Sequence, residues 1–303
     1  MSLAKPKVTV CVMTYNQEDY IEQCLRSIVE QETTFIFEII VGDDCSTDRT
    51  REKILAIVKS YPNIVVPLFQ KKNSGGKDNY LAIHRAARGE YVCHIDGDDW
   101  ISQGKLAAQV KFLDENLGCP LVAHRMTLWN SEKVTGITRS NPTWIGLPYL
   151  LRHHPAFLNS SIMYRREEVG GVFSNDFFFI DFYVYVTAAL RGDIGFIDSS
   201  YGNYRENIGM SSKGQLMPQI QAAIDLAASG IGESIDVRRC RSKQYLSYAL
   251  LFLRKKNYSE FLAYLAASRK ADSDWSLPWV ISIFSLYPEF LRRALKIYRK
   301  ADS

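Results

Sequence analysis

Apolar, β-branched runs and stretches of helical spacing take turns from Lys7 to Glu115. Lys7–Thr14, Phe37–Val41, Ile64–Phe69 and Tyr91–Ile95 are short apolar runs bounded by polar turn residues, the pattern of strands buried on both faces. Between them, Glu18–Gln31 repeats apolar residues at helical spacing through Ile21, Leu25, Ile28 and Val29. Arg49–Lys59, Tyr80–Ala87 and Leu106–Glu115 also read as helices, and Asn73-Ser74-Gly75-Gly76 as a turn. Strands alternating with helices imply an α/β fold whose parallel sheet is covered on both faces. The pattern loosens afterwards. Leu121–Thr127, Ser160–Tyr164 and Ile194–Ile197 read as strands, Asp181–Leu190 as a helix, and the chain beyond about Gln215 as helices only.

The polar residues that interrupt this pattern gather at strand ends. Tyr15-Asn16, Asp43-Asp44 and Asp96-Gly97-Asp98-Asp99 each follow the C-terminal end of a different strand, where open α/β sheets bind ligands. Three carboxylates within four residues repel one another unless a cation or hydrogen-bond donors offset them. Hard oxygen ligands of this kind suit Mg²⁺ or Mn²⁺, commonly shared with substrate phosphates. Ser46 or Asp48 can cap the helix that follows the Asp43-Asp44 pair. That leaves Asp43 or Asp44 to accept a hydrogen bond from a base or ribose. Tyr15 reads either as a stacking surface for a nucleobase or as strand-end packing.

Composition narrows the class. The 303 residues are 47% apolar, enough for a sizeable core. Six cysteines (Cys11, Cys24, Cys45, Cys93, Cys119, Cys240) form no C-x-x-C pair and read as reduced thiols of a cytoplasmic protein. No signal peptide opens the chain, and no uncharged apolar run reaches the roughly 20 residues of a spanning helix. The net charge of +4 is unevenly placed: 14 Lys/Arg stand against 5 Asp/Glu from Arg238 to Ser303, and 23 against 28 elsewhere. Trp275–Lys300 combines aromatic residues with Arg292, Arg293, Lys296, Arg299 and Lys300, and Pro278 and Pro288 break it into short helices. Two readings stand: a tail that packs back with its charges solvated, or one that docks on an anionic membrane as a peripheral contact on the inner face. The excess charge sits in this tail, which argues against nucleic acid as a partner.

Several stretches together resemble the family-2 glycosyltransferases of the GT-A fold, of the bacterial polysaccharide and lipid-linked glycan type. They are VTVCVMTYNQEDYIEQCLRSIVEQ, FEIIVGDDCSTDRT, NSGGKDNYLAIHRAARGEYVCHIDGDDW and KLAAQVKFLDEN, in order over the first 115 or so residues, with a weaker continuation through SSIMYRREEV and FIDFYVYVTAALRGDIGFID to YRENIGMSS. The resemblance implies a Rossmann-like GT-A domain over residues 4–212 and a C-terminal helical basic region over residues 213–303. It implies a nucleotide held by Thr14, Tyr15 and Asn16, with Asp44 accepting from a uracil N–H. It makes Asp96, Asp98 and Asp99 the D-x-D group, with Asp96 and Asp98 on the nucleotide and Asp98 and Asp99 on Mn²⁺ or Mg²⁺. It also places Arg205 within reach of the diphosphate.

Asp181 falls where the family carries its catalytic base, here in Ile180-Asp181 rather than the usual Glu-Asp or Gly-Asp. A carboxylate in its aromatic surroundings has a raised pKa and suits that role. A plain helix cap is the alternative. A His often found after Tyr-Arg is replaced by Asn207, a poor metal ligand. The implied reaction is inverting transfer of a hexose or N-acetylhexosamine from a nucleotide sugar, a UDP-sugar above all, to a glycan or lipid-linked hydroxyl. A nucleotidyltransferase would need a Gly-rich basic loop where Tyr15-Asn16-Gln17-Glu18 stands. A non-catalytic nucleotide-sugar binder would be expected to break the acidic cluster, which is intact.

Overall fold

The computed structural model describes residues 5–174, 181–206, 217–272 and 274. Phe177–Ile180, Asn207 and the tail Trp275–Ser303 lie outside the described residues. The chain divides into two compact units, Met1–Leu150 with Pro155–Ser212, and Leu151–His154 with Lys213–Ser303.

The first unit is built on one 10-stranded sheet. In chain order its elements are β1 (Val8–Thr14), α1 (Ile21–Val29), β2 (Phe37–Asp43), α2 (Thr50–Ser60), β3 (Val65–Phe69), α3 (Gly76–Ala86), β4 (Tyr91–Asp96), β5 (Trp100–Ile101) and α4 (Lys105–Glu115). Then follow β6 (Leu121–Asn130), β7 (Lys133–Ile137), β8 (Trp144–Ile145), α5 (Leu147–His153, which belongs to the second unit from Leu151 on), β9 (Met163–Arg165), α6 (Arg166–Val169), α7 (Asp181–Ala189) and β10 (Ile194–Arg205). The order across the sheet is β3-β2-β1-β4-β9-β6-β10-β5. The expected parallel arrangement holds for β3, β2, β1 and β4. β9 then runs antiparallel to both β4 and β6, so the sheet as a whole is mixed.

Burial explains the central strands. Val8, Val10, Val12, Ile39, Val41, Cys93 and Ile95 all belong to one apolar cluster. The helical stripe of α1 (Ile21, Cys24, Leu25, Ile28, Val29) joins the same cluster. All six cysteines are free.

Several expectations shift at their edges. Ser160–Tyr164 is not one strand: Asn159–Ser161 forms a 3₁₀ turn, and β9 begins only at Met163. β10 runs 12 residues, well beyond Ile197. Its polar segment Asp198–Ser200 coincides with register irregularities rather than with the strand's end.

In the second unit, α8 (Met217–Ile231), α9 (Ile235–Arg254) and α10 (Tyr258–Ala271) follow one another. Leu246, Ala249, Phe261 and Leu265 form the buried seam between α9 and α10. Ser234 and Asn257 cap the two helices by accepting from the Val237 and Glu260 N–H groups. No helix among the described residues is long and apolar enough to cross a membrane.

Candidate functional site

β1, β2 and β4 are parallel neighbours, so their C-terminal residues meet along one edge. Thr14 stands opposite Asp43, and Met13 opposite Asp96. Past β1 the chain turns through Asn16 at φ 49°, a left-handed conformation that Asn tolerates. The Asn16 N–H donates to Ser46 Oγ at 2.9 Å, and its Oδ1 accepts from the Thr47 N–H at 2.8 Å. The Gln17 N–H donates to Thr50 Oγ1 at 2.8 Å. These bonds join the loops that follow β1 and β2 into one rim. Tyr15 stands on that rim, 43% exposed.

The two members of the acidic pair have different work. Asp43 is fully buried and accepts from Arg51 and from Ser46. Arg51 also donates to the Gln70 carbonyl at 2.7 Å, so Asp43 anchors β2 to its flanks. Asp44 accepts from the Ser74 and Gly75 N–H groups, both at 2.8 Å, and so ties down the loop before α3. A carboxylate offers about four acceptor positions, so Asp44 keeps capacity for a further donor. Asp48, not Ser46, reaches the start of α2, accepting from the Thr50 N–H at 3.0 Å.

The turn Asp96-Gly97-Asp98-Asp99 lies tight against β1. The Gly97 N–H donates to the Met13 carbonyl at 2.8 Å, and the Asp99 N–H to the Asp96 carbonyl at 2.9 Å. Asp98 and Asp99 are 6% and 1% exposed. Burial, with the neighbouring Asp96 charge, pushes the Asp98 carboxyl up to about 6. Burial, then the charges of Asp96 and Asp98, raises Asp99 well above the usual range. Asp99 Oδ1 accepts from the Arg205 N–H at 3.1 Å, while its buried Oδ2 has no hydrogen-bond partner among the described residues. Thr14 Oγ1 and Gln17 Oε1 are likewise buried without partners. The Arg205 guanidinium lies between the Tyr20 and Trp100 rings, 4.7 and 4.3 Å from their centroids, and donates to the Asp98 carbonyl and to Gln23.

Uncompensated buried oxygens beside two carboxylates fit a hard divalent cation. Among the described residues, no group of three or more His, Cys, Asp or Glu side chains gathers to hold a metal. The residues present therefore suit an ion that takes part of its coordination from phosphate oxygens and water.

Asp181 opens α7. Its Oδ1 accepts from the Phe182 N–H at 2.9 Å, and the Tyr185 hydroxyl lies 3.3 Å from its Oδ2. Burial raises its pKa, and the Asp96 charge adds to the rise. That coupling brings Asp181 into the electrostatic field of the acidic turn.

Sequence reasoning missed the polar residues behind the turn. Ser160 Oγ accepts from the Asp96 N–H at 3.0 Å and lies 3.4 Å from Asp96 Oδ2. The fully buried Lys105 donates to the Ser160 carbonyl at 2.6 Å. His94 contacts Asp96 at 3.1 Å and His84 at 3.0 Å, and His84 contacts the Tyr164 hydroxyl at 2.7 Å. The available signal was strand period: His94 lies two residues before Asp96, and so on the same face.

Known proteins share this frame. Uncharacterized proteins of Mycobacterium tuberculosis and Mycobacterium bovis are 29% identical over 204 residues, 66% of this chain. The chain spans 59% of their length. The Staphylococcus aureus poly(ribitol-phosphate) beta-N-acetylglucosaminyltransferase TarS is 38% identical over 115 residues, 36% of this chain and 19% of that protein. The crystal structure of TarS residues 1–349 in complex with UDP-GlcNAc matches with a TM-score of 0.68 at 22% identity, over 88% of this chain and 83% of that one. The mannosyltransferase PcManGT of Pyrobaculum calidifontis, in complex with GDP-Man and Mn²⁺, matches at 0.55 and 19% identity, over 96% and 84%. The sequence model of the family described as Glycosyl transferase family 2 matches residues 9–182, more than half of the chain, and the chain belongs to that family.

Proposed function

We propose that this chain is an inverting glycosyltransferase, moving a sugar from a nucleotide-sugar donor, a UDP-sugar, to a hydroxyl of a glycan or lipid-linked saccharide. The observation that carries the reading is the buried Asp99 Oδ2, without a hydrogen-bond partner among the described residues, where three carboxylates gather at the end of one strand. Thr14, Tyr15, Asn16 and Asp44 line the same rim and would bind the nucleoside, with Tyr15 as the exposed ring and Asp44 as the acceptor for a base N–H. Asp96 and Asp98 would face the donor, and Asp98 and Asp99 would hold Mn²⁺ or Mg²⁺. When bound, such a cation offsets the charge on the departing diphosphate. Arg205, already stacked between two rings, adds a fixed positive charge beside that group.

The chemical step needs a base on the acceptor side. Asp181 would take the proton of the acceptor hydroxyl as its oxygen attacks the anomeric carbon. The bond from that carbon to the diphosphate oxygen breaks on the opposite face, so an α-linked donor gives a β-linked product. The TarS and PcManGT complexes support a nucleotide-sugar donor, and the latter a divalent cation. The basic excess from Arg238 to Ser303 supports action at an anionic membrane surface, where a lipid-linked acceptor would be found.

A thermal-shift panel of nucleotide sugars with and without Mn²⁺, followed by transfer assays, tests the reading. The expected result is stabilisation by a UDP-sugar that depends on Mn²⁺ and is lost in Asp98→Ala and Asp99→Ala while the fold survives. Unchanged UDP affinity in both variants would sink the site, and absence of donor turnover with any nucleotide sugar would sink the activity.

A further inference from the structure

From the half-buried Asp96 of the acidic turn, three buried side chains run in a row into the core: His94, His84 and Tyr164. His94 Nε2 lies 3.1 Å from Asp96 Oδ1, His94 Nδ1 lies 3.0 Å from His84 Nε2, and His84 Nδ1 lies 2.7 Å from the Tyr164 hydroxyl. His94 and Tyr164 are fully buried, and His84 is 4% exposed.

An arrangement with both rings neutral satisfies the whole row. A carboxylate only accepts, so His94 carries its proton on Nε2 and donates to Asp96. In that arrangement His94 accepts at Nδ1, which His84 fills with its own Nε2–H. His84 is left with Nδ1 as an acceptor, and the Tyr164 hydroxyl donates to it. Burial pushes His84 well below the usual imidazole range, which keeps that ring neutral as the row requires. Packing fixes the rings sideways: His84 stacks on Phe173 at 4.4 Å, and Tyr80 packs against both imidazoles at 4.3 and 4.8 Å. Each tautomer is set by the neighbour behind it.

The row ends on a carboxylate whose other side is also held. Ser160, 1% exposed, accepts from the Asp96 N–H and sits 3.4 Å from Oδ2. Without these contacts Asp96 would swing away from Asp98 and Asp99, which carry like charge. We propose that His94, with His84 and Tyr164 behind it, is a positioning residue that holds the Asp96 carboxylate in the orientation that meets the donor. The proposal rests on the reading of Asp96 as part of the donor site.

A double-mutant cycle on the full chain tests it, with UDP affinity in the presence of Mn²⁺ as the readout. Hydrogen-bonding groups behind a binding side chain cost about 10–100-fold when removed, so His94→Phe is expected to weaken UDP by that much. Asp96→Ala should weaken it as well, and the double variant should bind no worse than Asp96→Ala alone. His94→Gln, whose amide can still donate to Asp96, should recover much of the affinity. Fully multiplicative losses would mean that His94 acts by packing alone, and would overturn the proposal. So would wild-type affinity in His94→Phe beside a weakened Asp96→Ala. Wild-type affinity in Asp96→Ala itself would overturn the donor-site reading, and this inference with it. Should His94→Phe fail to fold, nitrogen NMR of histidine-labelled wild type decides. Both rings are expected as Nε2–H tautomers, and an Nδ1–H form of either would overturn the row.

Discussion

The contacts of Asp181 suit two roles. It accepts the N–H of Phe182 at the start of α7, and so occupies one of the donors that a helix start leaves open, the local role of a cap. It is also a carboxylate that burial and the Asp96 charge hold above its usual range, as a base near neutral pH should be. A cap alone gains nothing from a raised pKa, because ionisation then costs stability. Such a group contributes stability below its unfolded value of 3.8, and that contribution is lost as pH rises through the folded value. Asp181→Asn is therefore expected to leave stability near neutral pH intact or improved, since Asn keeps an acceptor for Tyr185. It should also leave UDP affinity unchanged and lower turnover on acceptor by about 10²–10⁴-fold. In wild type the rate should fall on the acid side as Asp181, Asp98 and Asp99 protonate, and the variant should keep only the part of that limb set by Asp98 and Asp99. Transfer at near wild-type rate in Asp181→Asn would leave only the cap. The aromatic surroundings of Asp181 were readable from its neighbours in sequence. The Asp96 charge that reinforces the shift was not, because it comes from a residue 85 positions away that only the fold brings near.

At the scale of elements, the turn after β4 shows how closely the fold sets the site. A Cβ on Gly97 would stand 2.5 Å from Gln17 Oε1 and 2.9 Å from the Met13 carbonyl. The carbonyl belongs to the strand backbone and cannot move aside. Gly97→Ala is thus expected to displace the acidic turn from β1, costing about 1–3 kcal/mol of stability as overpacking does. It should weaken Mn²⁺-dependent UDP binding beyond what the stability loss alone implies, as calorimetry beside thermal unfolding would show. Equal binding in the variant would mean that the turn tolerates the shift. The elements that carry this turn were legible: the runs Lys7–Thr14, Phe37–Val41 and Tyr91–Ile95 are mostly apolar because they are buried on both faces. The far side of the site was harder. β10 contains Asp198-Ser199-Ser200, which reads as an end to a strand, yet the ladder resumes after its irregularities and delivers Arg205 to Asp99. Non-local pairing of this kind leaves no local period to read. The 3₁₀ turn that sets Ser160 under Asp96 was masked in the same way by the apolar residues beside it.

At the scale of the whole molecule, charge and chemistry are separated along the chain. Thr14, Tyr15, Asn16, Asp44, Asp96, Asp98, Asp99, Asp181 and Arg205 all belong to the first unit. The basic excess belongs to the second. Part of that excess is matched within the same unit: Arg241 pairs with Asp225 and Glu233, and Arg239 with Asp272. Arg254, Lys255 and Lys256 stand exposed at the end of α9, where cations also favour the helix dipole. Arg238, Lys243, Arg269 and Lys270 add to the excess, and the last five cations, Arg292 to Lys300, close the segment Trp275–Ser303 behind a run rich in aromatic residues. Each Lys or Arg near an anionic bilayer contributes about 1 kcal/mol, so a cluster of five suffices for peripheral binding that salt reverses. The full chain is therefore expected to co-sediment with anionic vesicles, not with neutral ones, and to be released as ionic strength rises. Deleting Trp275–Ser303 should abolish that binding and leave UDP affinity unchanged, because no residue proposed for the donor lies there. If the full chain shows no salt-sensitive preference for anionic lipid, or the shortened chain keeps it, the tail is no membrane anchor. Loss of UDP affinity on deletion would show instead that the tail supports the donor site, and that the separation of charge from chemistry does not hold.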